Sequence, residues 1–317
     1  MSVESVAKHR DYVIRVIRET VPYQYLRQGS QRGTQAQGVR MPRVTVGSEG
    51  ANPIEIYYED HGAGTPVVLS HGYPLSGQAW EKQVSALLAA GYRVITYDRR
   101  GWGNSSQPAS GYDYDTFASD VDVLLTELDV RDAILVGHSM GTGDVARYLG
   151  RYGTGRVAKA VLMSPIPPFL LRTDDNPEGA PQSLFDGFIQ AARADRNGWL
   201  KQFLENFYNL DVYGGSRVSD EAFQASLTVA VAGSPVAAVA CIPTWLTDFR
   251  DDLAKIDVPV LVIQGDQDRV LPIGVTGQRL PAFIGDTRLL VIEGGPHAIA
   301  WTHSDQVNAA LLDFLQK

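Results

Sequence analysis

Residues 137–141 read Gly-His-Ser-Met-Gly, between an apolar run, Ala133-Ile134-Leu135-Val136, and a helix-forming stretch, Asp144-Val145-Ala146-Arg147-Tyr148-Leu149. A G-x-S-x-G turn in this setting restricts the fold severely. A buried strand ends, the chain turns sharply, and a helix begins with Ser139 at the apex. The glycines admit a strained turn and let the next helix close on the sheet where a Cβ would collide. A serine that only caps the helix is the plainer alternative, and five residues by themselves leave it open. The strand before and the helix after point to a nucleophile.

From residue 44 onward, strand-like and helix-like segments alternate. Ile54–Glu59 alternates apolar and polar residues, as an antiparallel strand does. Pro66–Ser70, Tyr92–Tyr97, Ala133–Val136, Val157–Met163, Val258–Gln264 and Arg288–Ile292 read as short apolar strands. Ser76–Ala90, Tyr114–Leu128, the stretch after Ser139 and Asp305–Leu315 read as helices, the first closed by Gly91. Such alternation predicts an α/β architecture with a mainly parallel sheet covered on both faces. Residues 165–250 break the pattern, with aromatics at helical spacing and no convincing strand. This interval is expected to be a helical cap inserted between two central strands, over their C-terminal ends, where open α/β sheets bind ligands. The core is then residues 44–164 and 251–317. Near the two cap hinges, Phe169 and Trp245 are the candidate pocket residues.

Residues 1–43 read as a basic N-terminal arm, partly helical or disordered, carrying +5 against −13 for the remainder of a chain whose net charge is −8. Val3, Val6, Val13, Ile14, Val16 and Ile17 suit one side of a short helix that Pro22 stops, and residues 28–35 read as a linker. The acidic balance argues against nucleic-acid binding. No run of 18 apolar residues is present, and the N-terminus has no apolar signal core. The one cysteine, Cys241, suits a reducing compartment and a place in the core. A cytoplasmic location is expected, with no membrane association.

A serine hydroxyl needs a base to take its proton, and the base needs an orienting acid. In this architecture the acid and then the histidine follow later strands. Val260–Gln264 leads into Gly265-Asp266-Gln267-Asp268-Arg269, and Leu289–Ile292 leads into Glu293-Gly294-Gly295-Pro296-His297. His297 is therefore the candidate base. Spacing leaves Asp266 and Asp268 both eligible as the acid; Asp268 is preferred because it stands further beyond the strand end. Two backbone N–H donors should receive a developing oxyanion. Met140, just after the serine, provides one, and Tyr73 in His71-Gly72-Tyr73-Pro74 the other, since Pro74 has no N–H. His71 is expected to hydrogen-bond within that loop, Asp98 to tie down the loop after its strand, and His303 to lie at the surface.

These stretches, together with Leu75-Ser76-Gly77, Tyr97-Asp98-Arg99-Arg100-Gly101, Pro167-Pro168-Phe169-Leu170-Leu171 and Trp301-Thr302-His303, resemble the cofactor-free bacterial haloperoxidases, or perhydrolases, of the α/β-hydrolase superfamily. The resemblance runs from about Met41 to the C-terminus. It implies the α/β-hydrolase fold with a mostly parallel eight-stranded sheet and a Ser139–Asp268–His297 triad. It also implies an oxyanion hole from Tyr73 and Met140, no metal and no haem, and a homo-oligomer, trimer or hexamer. Pro74 is the position that the family associates with perhydrolysis. The implied activity is acyl transfer from a small ester or short carboxylic acid, through Ser139, to water or hydrogen peroxide. The resulting peracid oxidises bromide or chloride. Ala298 stands where the family commonly carries glycine, a change expected at the floor of the site. A dedicated hydrolase of a lactone, lactam or aryl ester with incidental haloperoxidase activity is the alternative. A non-catalytic binding protein on the same scaffold would be expected to have lost one of the three triad residues, and all three are present.

Overall fold

Apolar runs too short for helices, bounded by glycine and polar turns, pair into one sheet. The computed structural model describes residues Met41–Lys317, so the helix and linker expected earlier in the chain lie outside the described residues. The strands are β1 (Arg43–Glu49), β2 (Asn52–His61), β3 (Pro66–Ser70), β4 (Arg93–Tyr97), β5 (Ala133–His138), β6 (Val157–Met163), β7 (Val260–Gly265) and β8 (Thr287–Ile292). They lie in the order β1-β2-β4-β3-β5-β6-β7-β8. The β1–β2 and β2–β4 pairs are antiparallel and all later pairs are parallel. The β1 strand lies outside the sequence expectation, which began at Ile54. Its register shifts between Thr45 and Gly47, so the alternation that would reveal it is interrupted.

Successive residues of the central strands feed two different apolar layers, as a period of two demands. Val67 and Leu69 of β3, Ile134 and Val136 of β5, Val161 and Met163 of β6, and Leu261 and Ile263 of β7 face one side. There they meet Leu87 of α1 (Glu81–Ala89) and a terminal helix carrying Val307, Leu311 and Phe314. Val68, Leu135, Leu162 and Val262 face the other side. They pack with Phe117, Val121 and Leu124 of α2 (Tyr114–Glu127), and with Val145 and Leu149 of α3 (Met140–Tyr152). Both faces are thus covered, which is why these strands read as continuous apolar runs.

Between β6 and β7 the chain leaves the sheet. It forms α4 (Gln182–Ala194), α5 (Arg196–Tyr208), α6 (Leu210–Tyr213), α7 (Asp220–Ala232), α8 (Pro235–Thr244) and α9 (Arg250–Leu253). The last helices are α10 (Ile299–Thr302) and α11 (Ser304–Gln316). No single helix among the described residues is long and apolar enough to cross a membrane. Cys241 is fully buried, and burial pushes its thiol up to about 12, so it acts as a core residue rather than a reactive thiol. His303 is a correction: it is 5% exposed, with Nδ1 against the Thr302 hydroxyl at 2.9 Å and its ring edge-on to Tyr213. The short α10 turns it inward before α11 begins.

Two consequences of this packing can be measured. A Cβ on Gly141 would run into the backbone carbonyl of Ser70, so α3 can sit this close to the end of β3 only with glycine there. Gly141→Ala should lower stability by about 3 kcal/mol in urea denaturation. The second concerns His71 and His138, both buried at the strand ends. Burial, with a further contribution from His297, holds His138 down to about 3. Burial, with the Arg99 charge beside it, holds His71 well below the usual histidine value. The unfolded chain takes these protons near about 6.5, so their stabilising effect is complete above that pH. It is lost as pH falls toward the folded values, at up to about 1.4 kcal/mol per pH unit for each histidine. His138→Asn should flatten the stability–pH slope between about pH 4 and 6 by that amount. An unchanged slope would mean that His138 carries its proton in the native protein.

Candidate active site

Ser139 sits between β5 and α3 with φ 53° and ψ −121°, a left-handed conformation that non-glycine residues rarely adopt. Holding it there costs on the order of 1–3 kcal/mol and requires fixed neighbours. Its N–H donates to Met163 O at 2.9 Å. Its carbonyl accepts from the Thr142 N–H at 2.9 Å and from the Thr142 hydroxyl at 2.5 Å. Gly72, in the loop after β3, backs directly onto it; a Cβ there would lie 2.9 Å from Ser139 Cβ.

The loops after β7 and β8 bring the acid and the histidine together. Asp268 Oδ2 accepts from His297 Nδ1 at 2.8 Å, and both side chains are fully buried. Asp266 is exposed and instead accepts from the Gly294 N–H at 2.8 Å, so geometry separates the two carboxylates that spacing left open. Asp268 Oδ1 accepts from the Val270 and Leu271 N–H groups, at 3.0 and 2.8 Å. Gln264, buried at the end of β7, holds the same loop. It donates to Leu271 O at 2.7 Å and to Asp268 Oδ2 at 3.3 Å, and accepts from the Gly277 N–H at 3.0 Å. With Nδ1–H directed at the carboxylate, the other ring nitrogen of His297 presents its lone pair. That Nε2 is buried and without a hydrogen-bond partner among the described residues, Ser139 included.

The backbone of His297 is clamped as firmly as its ring. Its carbonyl accepts from His138 Nε2 at 3.0 Å and from the Ser164 hydroxyl at 3.0 Å. The next N–H, of Ala298, donates to Phe207 O at the end of α5, at 2.9 Å. Nothing local in the sequence marks His138, Ser164 or Gln264 for these roles. Asp98 does what its position suggested, accepting from the Gly77 and Asn104 N–H groups at 2.8 and 2.7 Å.

Met140 directly follows the serine, and Tyr73 lines the same cavity as Ser139. The Tyr73 and Met140 N–H groups make no hydrogen bond to other groups among the described residues. Met140 opens α3, so its N–H adds to the positive end of the helix dipole. The Tyr73 ring is edge-on to Trp102, Phe203 and Trp245, and its hydroxyl donates to Ala238 O at 2.9 Å. It thus lines the site and anchors the helices above it.

Ser139 opens into a cavity of about 720 Å³. Its wall is mainly apolar: Tyr73, Phe188, Trp199, Phe203, Trp245 and Leu170 are among the lining residues, with Arg172, Glu178 and Arg269 in charged positions. Trp245 lies on this wall. Phe169 does not; it packs under the Arg250 guanidinium, 5.1 Å from its ring, and Ile166 and Leu170 take the lining positions. A hinge with no regular periodicity gives no signal of which neighbour turns inward. Ala298 lies in a separate small cleft with His71, Trp80 and His138, rather than on the main wall. No group of three or more His, Cys, Asp or Glu among the described residues is arranged to hold a metal ion.

Residues 65–304 match the sequence family described as the alpha/beta hydrolase fold. The chain is 61% identical over 276 residues to a Synechocystis protein provisionally named a non-haem chloroperoxidase, covering 87% of this chain and all of the relative. It is 35% identical to a bifunctional esterase/perhydrolase of Acinetobacter calcoaceticus, covering 83% of this chain and 96% of that one. The crystal structure of a bromoperoxidase from Bacillus anthracis superposes with a TM-score of 0.83 at 44% identity, covering 87% of this chain and 99% of that one. An eight-stranded sheet of this order, a strained serine turn after its fifth strand and this extent of identity lead to one assignment: the chain belongs to the α/β-hydrolase fold family and, within it, to the non-haem haloperoxidases.

Proposed function

We propose that this protein is a serine esterase and perhydrolase in which Ser139 is the nucleophile, His297 the base and Asp268 the orienting acid. The observations that carry this reading are the buried Asp268–His297 bond, which leaves Nε2 unpartnered, and the strained Ser139 on the wall of the cavity. A buried nitrogen without a partner is costly, and substrate binding supplies the missing contact, because catalytic hydrogen bonds often tighten only in the complex. Ser139 Oγ attacks the acyl carbonyl as its proton passes to His297 Nε2. The carbonyl oxygen, now negative, accepts from Tyr73 N–H and Met140 N–H. His297 returns the proton to the departing alcohol or water, leaving the acyl group on Ser139. Water or hydrogen peroxide then gives a proton to His297 and attacks the acyl carbon; the bond to Ser139 Oγ breaks, His297 returns the proton to Oγ, and an acid or a peracid is released. The peracid oxygenates a halide ion to hypohalous acid, with uptake of one proton, and reverts to the carboxylic acid. The relatives named for chloroperoxidase, bromoperoxidase and perhydrolase activity support this route.

The cavity favours a second emphasis. A volume of about 720 Å³ with an aromatic wall exceeds the needs of acetate, which suits hydrolysis of a larger apolar ester as the main reaction.

Ser139→Ala should lower both ester hydrolysis and acetate-dependent bromination by at least about a thousandfold while leaving the fold intact. Bromination that survives the change overturns the acyl-enzyme route. Along two ester series, lengthened on the acyl or on the alcohol side, kcat/KM should rise about threefold to fourfold per methylene in at least one. A flat or falling response in both would show that the aromatic wall does not hold the substrate.

A further inference from the structure

Beneath the loop that carries Tyr73 lies an ion pair that the reaction never touches. Arg99 follows β4, Asp144 sits one turn into α3, and both side chains are 1% exposed. Arg99 Nη2 and Nε donate to Asp144 Oδ2, at 2.6 and 3.1 Å. The same oxygen accepts from the Ser70 hydroxyl at 2.7 Å and the Tyr97 hydroxyl at 3.2 Å. Arg99 also reaches the other way. Its Nη2 donates to His71 O at 2.8 Å, and its backbone N–H donates to His71 Nε2 at 2.9 Å.

That last bond sets the tautomer of His71. With Nε2 accepting, a neutral imidazole carries its proton on Nδ1, and Nδ1 donates to Gly72 O at 2.9 Å. The Leu75 N–H donates to the same carbonyl at 3.0 Å. Gly72 C=O and Tyr73 N–H are the two ends of one planar peptide unit and point in opposite directions. Holding the carbonyl therefore aims the N–H.

We propose that the Arg99–Asp144 pair, acting through His71, positions the oxyanion hole: it ties the Gly72–Tyr73 peptide to the first turns of α3 and so fixes the spacing between the Tyr73 and Met140 N–H groups. The inference rests on the reading of those two N–H groups as the oxyanion donors. Arg99 and Asp144 are positioning residues, since neither lines the cavity that holds Ser139. Stability alone does not explain the arrangement. Buried pairs often hold a fold no better than apolar residues of similar volume, and here Arg99 Nη1 and Asp144 Oδ1 have no hydrogen-bond partner among the described residues. The adjacent pair offers an internal control. Arg100 Nε and Nη2 bind both oxygens of Asp120, at 2.7 and 2.6 Å, and so tie the same strand end to α2 rather than to α3.

The test compares Arg99→Met/Asp144→Leu, Arg99→Lys and the control Arg100→Met/Asp120→Leu. Lysine keeps the charge beside Asp144, but its nitrogen ends one bond short of Nη2, the atom from which Arg99 reaches both the carboxylate and His71 O. For ester hydrolysis, both Arg99 variants should lose about tenfold to a hundredfold in kcat, with KM within about twofold of wild type. A boronic acid, whose tetrahedral adduct places an oxygen in the oxyanion hole, should weaken by the same factor as kcat. The control should keep kcat and boronate affinity within about twofold of wild type. The proposal is overturned if a folded Arg99 variant keeps wild-type kcat, or if kcat falls without a matching loss of boronate affinity. Should the double variant not fold, Arg99→Lys decides by the same two ratios. An inactive wild-type enzyme would instead defeat the catalytic reading itself, so the two failures are distinguishable.

Discussion

Close backbone contact between the turn at Ser139 and the end of β3 is the constraint on which the rest depends. Gly141 lies against the Ser70 carbonyl, Gly137 against Gly141, and Gly72 against Ser139 itself. Glycines at these points leave no room for a Cβ, so the turn at Ser139, the end of β3 and the loop facing the serine approach one another at backbone distance. Main-chain contacts have few degrees of freedom. They can therefore hold a residue at φ 53° that would relax elsewhere.

Polar groups then complete what the backbone starts. The strand ends are capped by buried side chains that each hold a loop: His71 and Arg99 just after β3 and β4, His138 at the end of β5, Ser164 after β6 and Gln264 at the end of β7. Nearly all of them act on carbonyls or N–H groups of neighbouring loops rather than on the cavity. The Ala298–Phe207 bond extends this system into α5, which also supplies Trp199 and Phe203 to the cavity wall. The element above the substrate space and the loop bearing His297 thus share a direct hydrogen bond.

Much of this was legible in the chain. Buried parallel strands leave continuous apolar runs, and a serine turn, an acid and a histidine each following one are visible without coordinates. The edges were less so. Thr45–Gly47 shifts register and hides β1, and the hinge at Pro167-Pro168-Phe169 has no period, so Leu170 rather than Phe169 faces the cavity. His303 looked exposed because a helix start is usually solvated; here α10 folds it inward. Gln264 and Ser164 carry no local signal at all. Their partners lie 7 and 133 residues away, in the loops after β7 and β8, and only the folded loops bring them within reach.

The central claim is that the acyl group passes through Ser139. Its most direct test is peptide mass mapping of enzyme quenched during turnover of a slowly deacylating aryl ester. The account predicts the acyl mass on Ser139 alone, decaying at the turnover rate in water and faster when hydrogen peroxide is added. A rate-competent acyl group on any other residue, or turnover with Ser139 never modified, would contradict it.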